Sequence, residues 1–375
     1  MLYFDHAATT YPLPAISKKY QEINKDVFGN ASSLHSFGRK AKRKITIAQE
    51  MIADHLYCSP EEVYFTSGGT ESNNLAIKGV CENHGFKGHI ITSEIEHHCV
   101  LNSFQYVQNL GMEVTFLSVD KFGQTNLKDF KNAIKKDTVL VSIMYANNEI
   151  GTIQPISKMS EITKENNILL HTDAVQAGGS LDCSVQKLGV DLLTLSGHKF
   201  YGPKGVGILY KKNGLKLPSQ MHGGEQQNHL RAGTYNTPGI VATAYAFDLA
   251  QKNKENENKR LMKMRDMLIK QISKECNAKI VGHPTQRLVN NINVAFRNID
   301  SNTLMMRLDN QGVAVSTGSA CTSGNSDISH VIKALNLPTE YSKGVIRISL
   351  GKKNSMNDCR QLIKILKQEI NAMRG

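Results

Sequence analysis

Short apolar runs alternate with longer stretches of helical periodicity between about residue 60 and residue 245. This alternation constrains the fold most strongly, because it is typical of a mainly parallel sheet with helices on both faces. With 375 residues and 40% apolar content, the chain can also bury a large core. The sequence therefore predicts an α/β fold, with strands at residues 63–65, 89–92, 139–144, 168–171, 192–195 and 207–210.

A second lobe is predicted after this region. Residues 248–272, rich in Lys, Glu, Asn, Leu and Met, predict one long amphipathic helix that leaves the sheet. Three further strands and a closing helix are expected beyond it, at residues 289–296, 312–316, 345–350 and 358–373. We interpret the carboxyl-terminal part as a smaller α+β lobe.

Composition and charge restrict the class of protein. Seven scattered cysteines without a C-x-x-C pair indicate reduced thiols, and predict neither a disulfide framework nor a zinc or other metal site. The longest apolar run, residues 139–146, is too short for a membrane span, and the first residues lack a signal-peptide pattern. We therefore expect a cytoplasmic protein. The formal charge of +12 is spread along the chain, which predicts a solvated basic surface without stable nucleic-acid binding.

Polar residues follow the predicted strands at their carboxyl ends. In open α/β sheets this edge is where ligands bind, so these residues are the candidates for a functional site. They form five clusters: Ser67-Gly68-Gly69-Thr70-Glu71, Glu96-His97-His98, Asn147-Asn148-Glu149, Asp173-Ala174-Val175-Gln176 and Ser196-Gly197-His198-Lys199.

Four of the five clusters have both a chemical and a structural interpretation. The glycine turn at Gly68 and Gly69 suits a phosphate at a helix start, or is only a tight turn. Lys199 can form a Schiff base with an aldehyde cofactor, or is a surface lysine. Asp173 can hold a pyridinium nitrogen protonated, or caps a helix. His97 can stack on such a ring, or is structural. Because Walker A and G-x-G-x-x-G motifs are missing from the sequence, a nucleotide-binding dehydrogenase is disfavoured.

Together these residues resemble the class V aminotransferase-like enzymes of fold type I, and in particular the cysteine desulfurases of the NifS/IscS type. The resemblance spans nearly the whole chain, and the segments that carry it are Tyr3-Phe4-Asp5-His6-Ala7-Ala8-Thr9-Thr10, Phe28-Gly29-Asn30-Ala31-Ser32-Ser33, Phe65-Thr66-Ser67-Gly68-Gly69-Thr70-Glu71-Ser72-Asn73-Asn74 and Ile346-Arg347-Ile348-Ser349-Leu350-Gly351.

The resemblance implies a fold and its division into domains. It implies the pyridoxal-phosphate-dependent transferase fold, with a mainly parallel seven-stranded sheet in a large domain of residues 13–254. Residues 1–12 and 255–375 would form a small α+β domain, which carries a cysteine loop at about residues 316–330.

The resemblance also implies roles for the strand-end residues toward pyridoxal 5'-phosphate. Lys199 would bind the cofactor as a Schiff base, Asp173 would pair with the pyridine nitrogen, and Gln176 would contact the phenolic oxygen. His97 would stack on the ring. The phosphate would be held by Gly69, Thr70, Ser196 and His198 and, across the interface of a homodimer, by Thr234.

The substrate would be bound at the other end of the site. Asn148, which also contacts the cofactor, and Arg347 would take the substrate carboxylate, a task that suits the planar guanidinium. Asn30 is expected near them.

The segment around Cys321 resembles the mobile loop of the NifS/IscS group, and its small polar neighbours predict an exposed thiol. The resemblance implies that L-cysteine becomes L-alanine while Cys321 takes the sulfur as a persulfide, with Lys199 and His97 as the other catalytic residues. The acceptor would be an iron–sulfur scaffold, a tRNA-thiolating enzyme or a sulfur carrier, and Cys321 could contact an iron–sulfur cluster in a scaffold complex.

Three departures from the family pattern occur. Ala31 replaces a proline, Ala232 replaces a serine, and residues 225–228 differ from the usual glycine, glutamine, glutamate and arginine run. The alternatives on the same fold are a selenocysteine lyase and a small-amino-acid transaminase, and Cys321 argues against the transaminase. A non-catalytic sulfur-delivery or scaffold protein is the alternative from another class.

Overall fold

The computed structural model describes residues 1–318 and 328–375 and contains a seven-stranded central sheet. The strands are β1 Leu2–Tyr3, β2 Val63–Thr66, β3 His89–Ser93, β4 Glu113–Leu117, β5 Thr138–Ser142, β6 Leu169–Asp173, β7 Leu192–Ser196, β8 Gly207–Lys211, β9 Ala278–Val281, β10 Asn291–Phe296, β11 Val313–Ala314, β12 Ser316–Thr317 and β13 Val345–Ser349. The helices are α1 Pro14–Asp26, α2 Ser36–Leu56, α3 Gly69–Asn83, α4 His98–Asn109, α5 Leu127–Ala133, α6 Ile156–Glu165, α7 Val185–Leu188, α8 Thr237–Lys252, α9 Lys254–Glu275, α10 Ser301–Asn310, α11 His330–Ala334, α12 Thr339–Ser342 and α13 Met356–Arg374.

The central sheet has the strand order β2-β8-β7-β6-β5-β3-β4. Strand β8 is antiparallel to its neighbours β2 and β7, whereas the other pairs are parallel. The carboxyl ends of β2, β3, β5, β6 and β7 consequently lie at one edge of the sheet. The predicted α/β class with a mainly parallel seven-stranded sheet is confirmed.

Helices cover both faces of this sheet, which is why its central strands β5, β6 and β7 are almost entirely buried. Helices α1, α2 and α8 pack on one face around Ile45, Ile52 and Phe247, and α3 and α4 pack on the other around Leu75 and Phe104. Strand β7 is buried along its whole length as a result. Of the helices in the described residues, none combines the length and apolar character of a membrane span.

A second core lies around a four-stranded antiparallel sheet of order β12-β13-β10-β9. Helices α9, α10 and α13 pack against it, and every side chain of β10 is buried. The amino terminus belongs to this core, because Phe4 is buried in it and β1 pairs in parallel with β11. The first residues of the chain thus cross from the second core to the central sheet.

The structure corrects two predicted elements and adds strands that the sequence did not predict. The single helix expected at residues 248–272 is two helices, α8 and α9, separated at Asn253, whose side-chain amide donates to the Leu249 carbonyl at 2.8 Å. The sequence did not predict β4, because this edge strand exposes Glu113 and Phe116 and lacks a continuous apolar run. The strand expected at residues 312–316 is two short strands, β11 and β12, which pair with different partners.

Candidate active site

A cavity of about 340 Å³ opens at the carboxyl ends of the central strands. It is lined by most of the residues that the sequence nominated: Gly69, Thr70, His97, Asn148, Asp173, Gln176, Ser196, His198, Lys199 and Arg347. The parallel strand order brings all of them except Arg347 together, because each of these others follows or ends a strand that reaches the same edge. Arg347 reaches the cavity from β13 in the second sheet.

Lys199 lies on a short turn directly after β7. Its Nζ donates to the carbonyl oxygens of Ala7 and Ala8, at 2.6 and 2.7 Å. Gln176 donates from Nε2 to the same Ala7 carbonyl at 3.0 Å. The amino-terminal segment therefore forms one wall of the cavity and orients the lysine. The sequence did not predict these contacts between the amino-terminal segment and the side chains of Lys199 and Gln176.

Asp173 is the last residue of β6 and is 6% exposed. Its Oδ1 accepts from the Val175 amide at 2.9 Å, and its Oδ2 accepts from Asn73 Nδ2 at 2.7 Å. Asn73, on α3, is fully buried, and its Oδ1 has no hydrogen-bond partner among the described residues. Sequence reasoning missed this role of Asn73, although Asn73 belongs to the segment that carries the family resemblance.

Helix α3 begins at the edge of the cavity with Gly69 and Thr70. The first amides of a helix have no intrahelical acceptors and lie at its positive end, which favours an anion. A Cβ at Gly69 would lie 2.8 Å from Val175 Cγ2, so the close approach here depends on glycine. Burial, with Lys199 and Lys204 adding to it, lowers the pKa of nearby His198 to about 4. His198 is therefore neutral and contacts Thr9 Oγ1 through Nδ1 at 3.1 Å.

His97 is the residue that caps the amino terminus of α4. Its Nδ1 accepts from the Cys99 amide at 3.2 Å and lies 3.0 Å from Cys99 Sγ. Burial is the main cause that lowers the pKa of His97, and the charges of Lys199 and His98 act in the same direction, whereas Asp173 opposes them. His97 is accordingly a neutral imidazole beside the cavity.

Arg347 and Asn148 form the opposite end of the cavity. Arg347 is 4% exposed, and its Nη2 donates to Asp5 Oδ1 at 2.7 Å while its Nη1 donates to the Asn148 carbonyl at 3.1 Å. Its buried Nε has no hydrogen-bond partner among residues 1–318 and 328–375. A buried guanidinium that retains an unused donor suits a carboxylate ligand.

Glu149, which the sequence analysis quoted without a role, also lines this end of the cavity. It is 3% exposed, and burial raises its pKa to about 7 although Ser329 and Arg347 act against this shift. Its Oε2 accepts from Ser329 Oγ at 2.7 Å. Because Glu149 and Ser329 lie 180 residues apart, no pattern in the sequence predicts this contact.

Two nominated residues, Asn30 and Thr234, are not among the described residues that line the cavity. Asn30 is exposed between α1 and α2, where its Oδ1 accepts from the Ser32 amide at 3.0 Å. Thr234 is exposed, and its predicted role involves a second chain. Cys321 lies outside the described residues.

The departure at residues 225–228 has a structural consequence at the edge of the central sheet. Gln227 Oε1 accepts from the Phe65 amide at 2.7 Å, and Gln227 Nε2 donates to the Phe65 carbonyl. The side-chain amide thus pairs with edge strand β2 as a neighbouring strand would. Arg231 follows and pairs with Glu71 of α3 at 2.8 Å.

The polar groups of the cavity fit pyridoxal phosphate. A phosphate suits the start of α3, a pyridinium nitrogen suits the buried carboxylate of Asp173, and the aldehyde requires an amine such as that of Lys199. The unpartnered Oδ1 of Asn73 indicates that this part of the cavity can hold a further hydrogen-bond donor.

Comparisons with known proteins agree with the fold and identify the family. The family model described as aminotransferase class-V matches residues 2–362. A cysteine desulfurase IscS from Methanosarcina thermophila is 46% identical over 375 residues, which are 100% of this chain and 93% of the relative.

Two solved structures share the whole architecture. A structure described as a NifS-like protein has a TM-score of 0.94 at 36% identity, with 99% of each chain covered. A structure of SspA in complex with cysteine has a TM-score of 0.81 at 35% identity and covers 93% of this chain and 99% of SspA. The chain therefore belongs to the class V aminotransferase family and, within it, to the cysteine desulfurases of the NifS/IscS type.

Proposed function

We propose that the protein is a pyridoxal-phosphate-dependent cysteine desulfurase that converts L-cysteine to L-alanine and takes the sulfur as a persulfide on Cys321. The observation that carries the proposal is the convergence of Lys199, Asp173 and Arg347 on one cavity. These residues come from two strand ends of the central sheet and from one strand of the second sheet. An amine, a buried carboxylate and a guanidinium at separate walls suit a cofactor at one end and an amino-acid carboxylate at the other.

Pyridoxal phosphate, when bound, supplies an electron sink that allows bonds at Cα and Cβ of an amino acid to break. Lys199 would hold it through Nζ, and Asp173 would keep its ring nitrogen protonated, with Gln176 at the phenolic oxygen and His97 against the ring. The phosphate would lie at the start of α3, where Gly69, Thr70, Ser196 and His198 would hold it. Thr234 of the partner subunit would add a contact from across the dimer interface.

Substrate recognition would rest on Arg347 and Asn148, with Asn30 near them. Arg347 is already oriented by Asp5 and by the Asn148 carbonyl, so little side-chain entropy remains to be lost when a carboxylate binds. The SspA structure contains cysteine, which supports L-cysteine as the substrate of this chain.

The proton and sulfur transfers would be divided among three side chains. Lys199 Nζ would remove the proton from Cα of the substrate, and the His97 imidazole would assist proton transfer at the substrate thiol or at the carbon that the sulfur leaves. The Cys321 thiolate attacks the substrate sulfur, so that an S–S bond forms while the C–S bond breaks and its electron pair stays with carbon. Protonation of that carbon yields alanine, and the substrate sulfur remains on Cys321 as the outer atom of a persulfide.

The wider organisation follows from the same proposal. Residues 13–254 would form the large domain, and residues 1–12 and 255–375 the small domain, which is supported by the burial of Phe4 in the second core. The active unit would be a cytoplasmic homodimer. The persulfide of Cys321 would pass to an iron–sulfur scaffold, a tRNA-thiolating enzyme or a sulfur carrier, and in a scaffold complex Cys321 would contact the iron–sulfur cluster.

The test combines cofactor binding with product analysis. We expect the purified protein to turn yellow with pyridoxal phosphate, and Lys199→Ala to lose this absorbance. With L-cysteine and a thiol reductant, the protein should release alanine and sulfide in equal amounts, whereas Cys321→Ala should release neither at a comparable rate.

The control for Cys321→Ala is Cys359→Ala, which removes a buried thiol of the second core and should keep the activity. Without reductant, mass spectrometry should find one added sulfur atom on Cys321. A protein that stays colourless would favour the non-catalytic scaffold, and full sulfide release by Cys321→Ala would refute the persulfide. Pyruvate formed from alanine with an added keto acid would indicate the transaminase, and turnover of selenocysteine alone would indicate the lyase.

A further inference from the structure

The hydrogen bonds of His97 define which ring nitrogen carries its proton. The Cys99 backbone amide can only donate, and it points at His97 Nδ1 at 3.2 Å. Nδ1 must therefore present its lone pair, since a proton on Nδ1 would face another proton. A neutral His97 in this contact holds its single proton on Nε2.

The Cys99 thiol acts on the same nitrogen. Its Sγ lies 3.0 Å from Nδ1, and burial raises the pKa of the thiol to about 12. The thiol therefore keeps its proton and is a second donor to Nδ1. Cys99 is the second residue of α4, so its position relative to His97 is fixed by the helix that His97 caps.

Cys99 is also connected to the carboxylate of the site. Asn73 Nδ2 donates to Asp173 Oδ2 at 2.7 Å and to Cys99 Sγ at 3.2 Å, which uses both of its hydrogens. A continuous chain of hydrogen bonds thus runs from Asp173 through Asn73 and Cys99 to His97. The amide of Asn73 is fully buried, which fixes the orientation of this chain.

We propose that Cys99 is a positioning residue that holds His97 as the Nε2-protonated tautomer and ties it to Asp173 through Asn73. The neutral ring of His97 then presents its Nε2–H group as a hydrogen-bond donor and cannot accept a proton at Nε2. The first proton removal from the substrate consequently falls to Lys199. This consequence for the reaction rests on the proposed function, whereas the tautomer is a property of the protein itself.

The charged groups around His97 bear on how it titrates. Asp173 favours the imidazolium, whereas Lys199 and His98 disfavour it, and Glu96 is buried close to Cys99. Protonation at Nδ1 would also break the contacts with both donors of Cys99. Loss of the thiol donor should therefore make His97 easier to protonate, and its pKa should rise.

The direct test is long-range proton–nitrogen NMR of histidine side chains in the cofactor-free protein, with the His97 signal assigned by its loss in His97→Gln. We expect the Nε2-protonated pattern in the unmodified protein. In Cys99→Ala the pKa of His97 should rise by about 0.5 to 1. Cys99→Ser restores a donor and should return most of this shift, which a purely structural loss would not.

Cys81→Ala is the matched control, because it removes another buried thiol from the neighbouring helix α3 and should leave the His97 titration unchanged. In the loaded enzyme, the acid limb of the kcat/KM profile should move with the His97 pKa in Cys99→Ala and return in Cys99→Ser. An Nδ1-protonated His97 would overturn the proposal. The same His97 titration in the unmodified protein, in Cys99→Ala and in Cys99→Ser would overturn it as well. Because the NMR readout needs no activity, an inactive protein with the expected tautomer would refute only the desulfurase function.

Discussion

The burial of Glu149 predicts a pH-dependent cost to stability that a neutral side chain removes. The pKa of Glu149 is raised from 4.5 to about 7, mainly by burial. Between these values the folded protein holds a proton that the unfolded chain has released, so stability falls as the pH rises through this window. Above pH 7 the cost is complete and amounts to about 3 kcal/mol.

Glu149→Gln tests this prediction, because glutamine keeps an oxygen acceptor for Ser329 and never ionises. Of the full cost, about 2.5 kcal/mol develops between about pH 5 and about pH 8. Relative to the unmodified protein, Glu149→Gln should therefore gain about 2.5 kcal/mol in unfolding free energy between these two conditions.

Urea unfolding of the cofactor-free protein measures this double difference without a contribution from cofactor binding. Glu161→Gln, an exposed change on α6, is the control and should show no such dependence on pH. If the free-energy difference between Glu149→Gln and the unmodified protein is the same at both pH values, the reasoning about burial is wrong.

Two further changes test the two ends of the cavity. Arg347→Lys should raise the KM for L-cysteine about 30-fold, which corresponds to about 2 kcal/mol, because one ammonium cannot keep the contact with Asp5 and also offer a planar pair of donors to a carboxylate. Steady-state kinetics measures this KM, and an unchanged KM would contradict the role of Arg347 in binding the substrate carboxylate. Gly69→Ala should weaken pyridoxal phosphate binding about tenfold, because its new Cβ would lie 2.8 Å from Val175 Cγ2. In the control Gly68→Ala, the new Cβ has no neighbouring atom within 4 Å, so this variant should bind the cofactor normally. Fluorescence titration compares the two affinities, and equal values would exclude the steric reason.

The parts of the site that could be predicted are those attached to strand ends. His97, Asp173 and Lys199 each follow an apolar strand, and the rule for open α/β sheets brings such positions together without knowledge of side-chain packing. The central strands were also predictable, because burial on both faces makes them continuous apolar runs. Edge strand β4 was not predictable, because only Leu117 of its residues is buried and Glu113 and Phe116 are exposed.

Contacts between elements that are distant in sequence could not be predicted. The hydrogen bond between Asn73 and Asp173 depends on how α3 packs against β6, and that between Glu149 and Ser329 joins positions on different parts of the fold. Such contacts depend on distances of a few ångströms, which residue patterns do not determine. Even a contact between near neighbours in sequence can depend on such distances. Cys99 lies two residues after His97, but the sequence does not reveal that its amide and its thiol both contact His97 Nδ1.

The amino-terminal segment explains how the two ends of the site are held at a fixed separation. Asp5 pairs with Arg347 at the substrate end, and the carbonyl of Ala7 accepts from both Lys199 and Gln176 at the cofactor end. The Ala7 amide in turn donates to Ser349 Oγ at 2.8 Å, on the same strand as Arg347. Because one short segment, which turns at residues 6–8, connects β13 with the turn after β7, any displacement of the second sheet would move the guanidinium and the lysine environment together.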